Sequence, residues 1–186
     1  MKKNIILLWI ILFVSSCTSN RKVSPFKVYV SSYLNVHSPN TIGWKLSKYK
    51  WGMIFSKKGR EDSSYIASVI EYPLPKEISE ETFLKIVKDK IKNINKERFE
   101  LIYSSFKLST IQGFKCIESQ QLTKDNEAHI SSTDTRILLF KISSFNCKLP
   151  KQDKGFMVSY SYRGKNIPKT FNEESKYFLN SISVKH

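Results

Sequence analysis

The chain contains no HExxH, no GxSxG, no GxGxxG and no P-loop spacing. Those absences remove the local signatures of zinc hydrolases, nucleophile-elbow hydrolases, dinucleotide binders and phosphate-cradling loops. Histidine is scarce, at three residues: His37, His129 and the terminal His186. Arginine is scarce too, since only 5 of the 31 basic residues are arginine. Selective phosphate recognition leans on the planar arginine fork, so this basic charge is not that of a sequence-reading nucleic-acid protein. The longest apolar run is ten residues, Ile5 to Val14. That is half of the roughly 20 a membrane-spanning helix needs. No internal repeat and no second linker divide the chain.

What remains is strongly basic. The formal charge is +15, and removal of residues 1–16 takes away Lys2 and Lys3 and leaves +13. A field of that sign favours anionic partners: nucleic acid, acidic lipid headgroups or acidic glycans. A lysine surface written by AT-rich codons would carry the same charge with no ligand in view. Forty per cent hydrophobic residues and 24 aromatics suffice for a real core, and 186 residues suit one domain behind a targeting segment.

The N-terminus reads as an export signal. Two lysines precede "IILLWIILFV", and the small residues Ser15 and Ser16 follow before Cys17. Val14-Ser15-Ser16-Cys17 resembles the lipobox of bacterial lipoproteins. The resemblance implies cleavage ahead of Cys17, a thioether-linked diacylglycerol on its sulfur and, in many bacteria, a third acyl chain on its amine. Cysteine is required because the thiolate is the nucleophile. Two or three acyl chains, at about 0.8 kcal/mol for each buried methylene, anchor a protein essentially permanently. Thr18 in place of aspartate after the cysteine implies outer rather than inner membrane, where the cell has both. The expected organisation is a signal peptide over 1–16, lipidated Cys17 with a polar tether to Pro25, and a single domain over 26–186.

Within that domain, alternation and β-branched or aromatic enrichment predict six strands: Lys50–Lys58, Ser64–Tyr72, Phe99–Thr110, Gly113–Thr123, Thr135–Lys148 and Phe156–Tyr162. Turns are expected at Gly59–Asp62, Ile111–Gly113, Lys124–Asn126 and Lys151–Asp153. Short polar connections between consecutive strands favour an antiparallel sheet. Two helices are predicted, near 79–95 and 170–183. Ser79 caps the first, Glu80 and Glu81 suit its dipole, and Phe83, Val87, Ile91 and Ile94 form its stripe. Thr170 and Glu173 have capping-box spacing in the second, with Phe171, Phe178, Leu179 and Ile182 as the buried set.

A tryptophan-bearing "GWKL" (Gly43–Leu46), a hairpin, a helix, three long strands and a C-terminal "FLNSISV" (Phe178–Val184) together resemble the PsbP-like α/β/α sandwich over about residues 40–184. The resemblance implies an α+β fold of about six antiparallel strands packed with two main helices. It transfers no activity, and no cofactor or metal residue of the photosynthetic members maps onto this chain.

With Cys17 acylated, Cys116 and Cys147 are left in a compartment that permits disulfides, and a bridge is expected. Two buried thiols are the alternative. His129, beside Asp125, Glu127 and Asp134, allows a loose metal site, although a polar hairpin tip accounts for the same residues. The one cationic–aromatic stretch is Trp44 to Arg60. Trp44, Lys48, Tyr49, Lys50 and Trp51 are its candidate contacts for an anion or a glycan, unless the tryptophans are core and the lysines simply alternate outward. Export argues against nucleic acid as the target. The function expected is a membrane-tethered envelope lipoprotein, a non-catalytic binding or accessory domain without cofactor or metal. Its partners would be anionic envelope components or another envelope protein. An envelope hydrolase with a dispersed site and a purely structural lipoprotein are the alternatives.

Overall fold

The computed structural model describes residues 21–31, 33–60, 62–92, 96–129, 135–149 and 152–185. Eleven strands and two helices follow in order: β1 (Arg21–Lys22), β2 (Val28–Val30), β3 (Leu34–His37), β4 (Lys45–Tyr49), β5 (Gly52–Lys58), β6 (Ser64–Pro73), α1 (Glu80–Lys92), β7 (Phe99–Ile111), β8 (Phe114–His129), β9 (Thr135–Lys148), β10 (Lys154–Gly164), α2 (Phe171–Asn180) and β11 (Ile182–Val184). Eight of the strands form one sheet in the order β1-β4-β5-β6-β10-β9-β8-β7, and three form a second, β11-β3-β2. All their pairings are antiparallel.

Register sorts the large sheet into two faces. Leu46, Phe55, Ala67 and Tyr160 are cross-strand neighbours in one row, and Met53, Val69, Val158 and Phe145 in the next. All eight are buried. Helix α2 lies on this face: Phe171 packs edge-on against Tyr160 at 5.6 Å, and Phe178 against Phe55 at 5.9 Å. The small sheet covers the rest of the face through Leu34, Val36 and Ile182. Truncating one of these rings to alanine costs about 3–5 kcal/mol. The opposite face carries α1, whose Phe83 and Val87 close a smaller cluster with Leu74 and Ile117. Beside it runs a row of serines, Ser68, Ser159, Ser144 and Ser119, on adjacent strands. Their hydroxyls pair at 2.7 Å (Ser68 with Ser159, Ser119 with Ser144), so the buried polar row is satisfied from within. Helices on both faces of an antiparallel sheet give an α+β sandwich.

The six predicted strands are all present, but the sheet is larger than six. The additions are short: two residues in β1, three in β2 and β11, four in β3 and five in β4. Such lengths show no measurable alternation. Lys50 and Trp51 lie in the turn between β4 and β5 rather than in the strand, because Tyr49 pairs with Gly52. The tether read over 17–25 is already fold from Arg21 onward. Arg21 pairs with Leu46 and Lys22 with Lys45, Val23 is buried, and its N–H donates to the Trp44 carbonyl at 2.9 Å. Lys124–Asn126 is strand, not turn, and its ladder shifts register between Asp125 and Ala128. Polar residues persist there because Asp125 is pinned by arginines, as described below.

The first helix begins as expected: the Ser79 hydroxyl accepts the Thr82 N–H at 3.1 Å. The side chains of Ile91 and Ile94 lie outside the described residues. The second helix stops at Asn180, and Ile182–Val184 pairs with β3 instead, so Ile182 is buried from a strand. Thr170 already has helical dihedrals (φ −76°, ψ −9°) and its hydroxyl makes no cap, which leaves the expected capping box unformed.

Candidate functional site

The candidate stretch from Trp44 to Trp51 divides in two. Trp44 is 1% exposed, donates its indole N–H to the Thr41 hydroxyl at 2.9 Å and packs against Tyr65 and Tyr160. It is core, and no ligand reaches it. The Lys57 ammonium sits over the Trp44 ring (5.1 Å) and the Tyr65 ring (4.6 Å). Burial holds its pKa below the ordinary lysine value, partly offset by Glu174.

Lys48, Tyr49, Lys50 and Trp51 make the tip of the β4–β5 hairpin. The Tyr49 and Trp51 rings stack at 4.7 Å with planes 10° apart, and they stay 40% and 45% exposed. Gly52 makes the tip possible, since a Cβ there would fall 2.2 Å from the Val69 carbonyl oxygen. The Trp51 carbonyl accepts the Glu71 N–H at 2.8 Å, which ties the tip to β6. Lys48 and Lys27 flank the Tyr29 ring at 5.7 and 5.8 Å. The tip is thus an exposed aromatic pair on a lysine-bearing hairpin. Such a surface suits the interfacial zone of a bilayer or the face of a sugar.

A second concavity opens where α2 crosses the strands β7 to β9. Its volume is about 590 Å³, and Lys107, Glu118, Gln120, Lys141, Asn172 and Lys176 line it. Lys107 pairs with Glu118 at 3.0 Å, and Lys141 donates to the Asn172 side-chain oxygen at 2.9 Å. The groove is polar, with a surplus of cations. Sequence reasoning missed it, although a signal existed. Lys107 and Ser109, Glu118 and Gln120, and Lys141 and Ser143 hold alternate positions on three neighbouring strands. A third hollow, about 680 Å³, has His37, Glu173, Lys176 and Tyr177 on its wall.

Of the residues named for a metal site around His129, Asp125 is committed to arginines instead. Asp125 is 1% exposed and accepts two bonds from Arg98, at 2.8 and 2.9 Å, while Arg163 lies 3.1 Å away. Burial pushes the Asp125 carboxyl up, but the Arg98 hydrogen bonds and both guanidinium charges outweigh it and hold it below the usual range. The His129 side chain, Asp134 and His186 lie outside the described residues. Among the described residues no group of three or more His, Cys, Asp or Glu could hold a metal ion. Tyr160 donates to the Glu174 carboxylate, and burial first, then that bond, raises its pKa.

Cys116 and Cys147 stand directly opposite each other on β8 and β9 with Cα atoms 4.1 Å apart, and the structure joins them in a disulfide. Cys17 lies outside the described residues. No helix among the described residues is long and apolar enough to cross a membrane.

The fold is a small α+β sandwich, similar in architecture to PsbP. The solution structure of cyanobacterial PsbP (CyanoP) from Synechocystis sp. PCC 6803 matches it with a TM-score of 0.51 at 14% identity, over 92% of this chain and 99% of that one. The crystal structure of LpqN, involved in cell envelope biogenesis of Mycobacterium tuberculosis, matches with a TM-score of 0.49 at 12% identity, over 91% and 92%. The likeness to CyanoP is one of fold. No protein-family model and no curated protein sequence matches the chain.

Proposed function

We propose that this protein is a lipid-anchored accessory protein of a bacterial cell envelope, non-catalytic, tethered through acyl chains on Cys17. The observation that carries the reading is the export signal ending in Val14-Ser15-Ser16-Cys17, set four residues ahead of the first strand of a disulfide-containing sandwich. So short a spacer suits a domain held close to its membrane. The polar groove beside α2 is the surface offered to an anionic envelope component, with Lys107, Lys141 and Lys176 supplying charge. Thr18 directs the protein to the outer membrane where one exists.

The test is mass spectrometry of the N-terminal peptide together with cell fractionation. Wild type is expected in the membrane fraction, cleaved ahead of Cys17 and carrying a diacylglyceryl mass on it. Cys17→Ser is expected to lose that mass and the cleavage. An uncleaved wild-type chain with an unmodified Cys17 would sink the reading.

A further inference from the structure

We infer that the β4–β5 hairpin tip is a membrane-docking surface. Tyr49 and Trp51 sit in the interfacial zone of the bilayer, and Lys48 and Lys50 contact anionic headgroups. The inference rests on the reading of Cys17 as the lipid anchor and adds how the domain stands on the membrane.

Chain direction places the two features together. β1 is antiparallel to β4, with Lys22 opposite Lys45 and Arg21 opposite Leu46. Going back along the chain from Lys22 therefore runs toward Tyr49. Cys17 precedes Arg21 by four residues, which reach at most about 14 Å. Tyr49 lies three strand residues beyond Leu46, about 10 Å. The described chain thus enters at Arg21 from the end of the sheet that carries the tip, and the tip lies within one tether length of Arg21.

The chemistry fits that position. A stacked, half-exposed tyrosine–tryptophan pair is an apolar platform with polar rims, the composition found where chains meet the headgroup layer. Among the described residues neither Lys48 nor Lys50 has an ion-pair partner, so their charges are available to a negative surface. Lys27 lies 5.8 Å from the Tyr29 ring that Lys48 also approaches, at 5.7 Å, and adds a further cation near the hairpin. Residues at the opposite end of the sheet, such as Gly59 and Gly164, would then point away from the bilayer.

The test uses the acylated full-length protein reconstituted in vesicles containing phosphatidylglycerol, with bromines on shallow acyl positions. Removal of residues 1–16 leaves two tryptophans, Trp44 and Trp51. The difference between wild type and Trp51→Phe therefore reports Trp51 alone. Trp51 emission is expected to fall at least two-fold with the brominated lipid, while buried Trp44 is unchanged. The double variant Lys48→Glu/Lys50→Glu is expected to lose the quenching yet still float with the vesicles. A wild-type protein that floats while acrylamide reaches Trp51 as freely as in detergent overturns the docking and leaves the anchor standing. A protein that does not float overturns both. Protection of Trp51 by a soluble anionic glycan but not by vesicles overturns it in favour of a glycan.

Discussion

Asp125 shows how one buried side chain can be held by charge and what that makes of pH. Arg98 brings the approach to β7, and Arg163 brings β10, onto a single carboxylate on β8. Because the folded carboxyl is held below its unfolded value of about 3.9, its contribution is complete above that pH and is lost as pH falls through the folded value. Asp125→Asn is expected to cost on the order of 3 kcal/mol at pH 7, since it leaves two guanidiniums facing each other. Urea midpoints measured from pH 7 to pH 2 check this: the gap between wild type and variant should close toward the acid end. A constant gap would show that the loss is one of packing alone. Sequence shows Asp125 among acids near a histidine, where a loose metal site is imaginable and a polar hairpin tip is the ordinary reading. The two arginines that claim it come from 27 positions upstream and 38 downstream, a separation no local pattern reveals.

At the scale of elements, hairpins carry most of the architecture and each depends on a turn. The β7–β8 hairpin turns through Gln112 and Gly113, both with positive φ (50° and 80°), as a two-residue turn matched to strand twist requires. The β4–β5 tip depends instead on closeness, with Gly52 against the Val69 carbonyl. Gly52→Ala is expected to cost about 1–3 kcal/mol, because a backbone oxygen cannot move aside as a side-chain end would. A lowered urea midpoint with unchanged slope, together with a changed Trp51 emission, would confirm that the strain falls on the tip. The long strands and α1 were legible because ten or more residues give a period. The second helix was read too long because Ile182 continues its apolar spacing, and only pairing with Val36 makes it a strand. The stacked tip was half legible: the lysines and aromatics are visible in sequence, but which of Trp44 and Trp51 is core depends on what covers each.

For the whole molecule, the bridge between Cys116 and Cys147 acts mainly on the unfolded chain, closing a loop across a separation of 31 residues. In the chain-entropy model the double variant Cys116→Ser/Cys147→Ser loses roughly 3–4 kcal/mol. Thermal and urea unfolding of oxidised protein against the double variant measures it. Free-thiol counts under denaturing, non-reducing conditions check the bridge, and two reactive thiols in the mature chain would refute it.

Sequence by itself determined the antiparallel α+β class, the six predicted strands and the start of α1. Each rests on a pattern contained within about a dozen consecutive residues. Tertiary structure alone decided the rest: the three-stranded second sheet, the burial of Trp44, the arginine clamp on Asp125 and the groove beside α2. It also set the β4–β5 tip at the end of the sheet toward which β1 runs back from Lys22. The physical reason is common to all of them. A short strand, a buried ring or a shared surface is stabilised by partners far away in the chain, and those partners meet only when the sheet has formed.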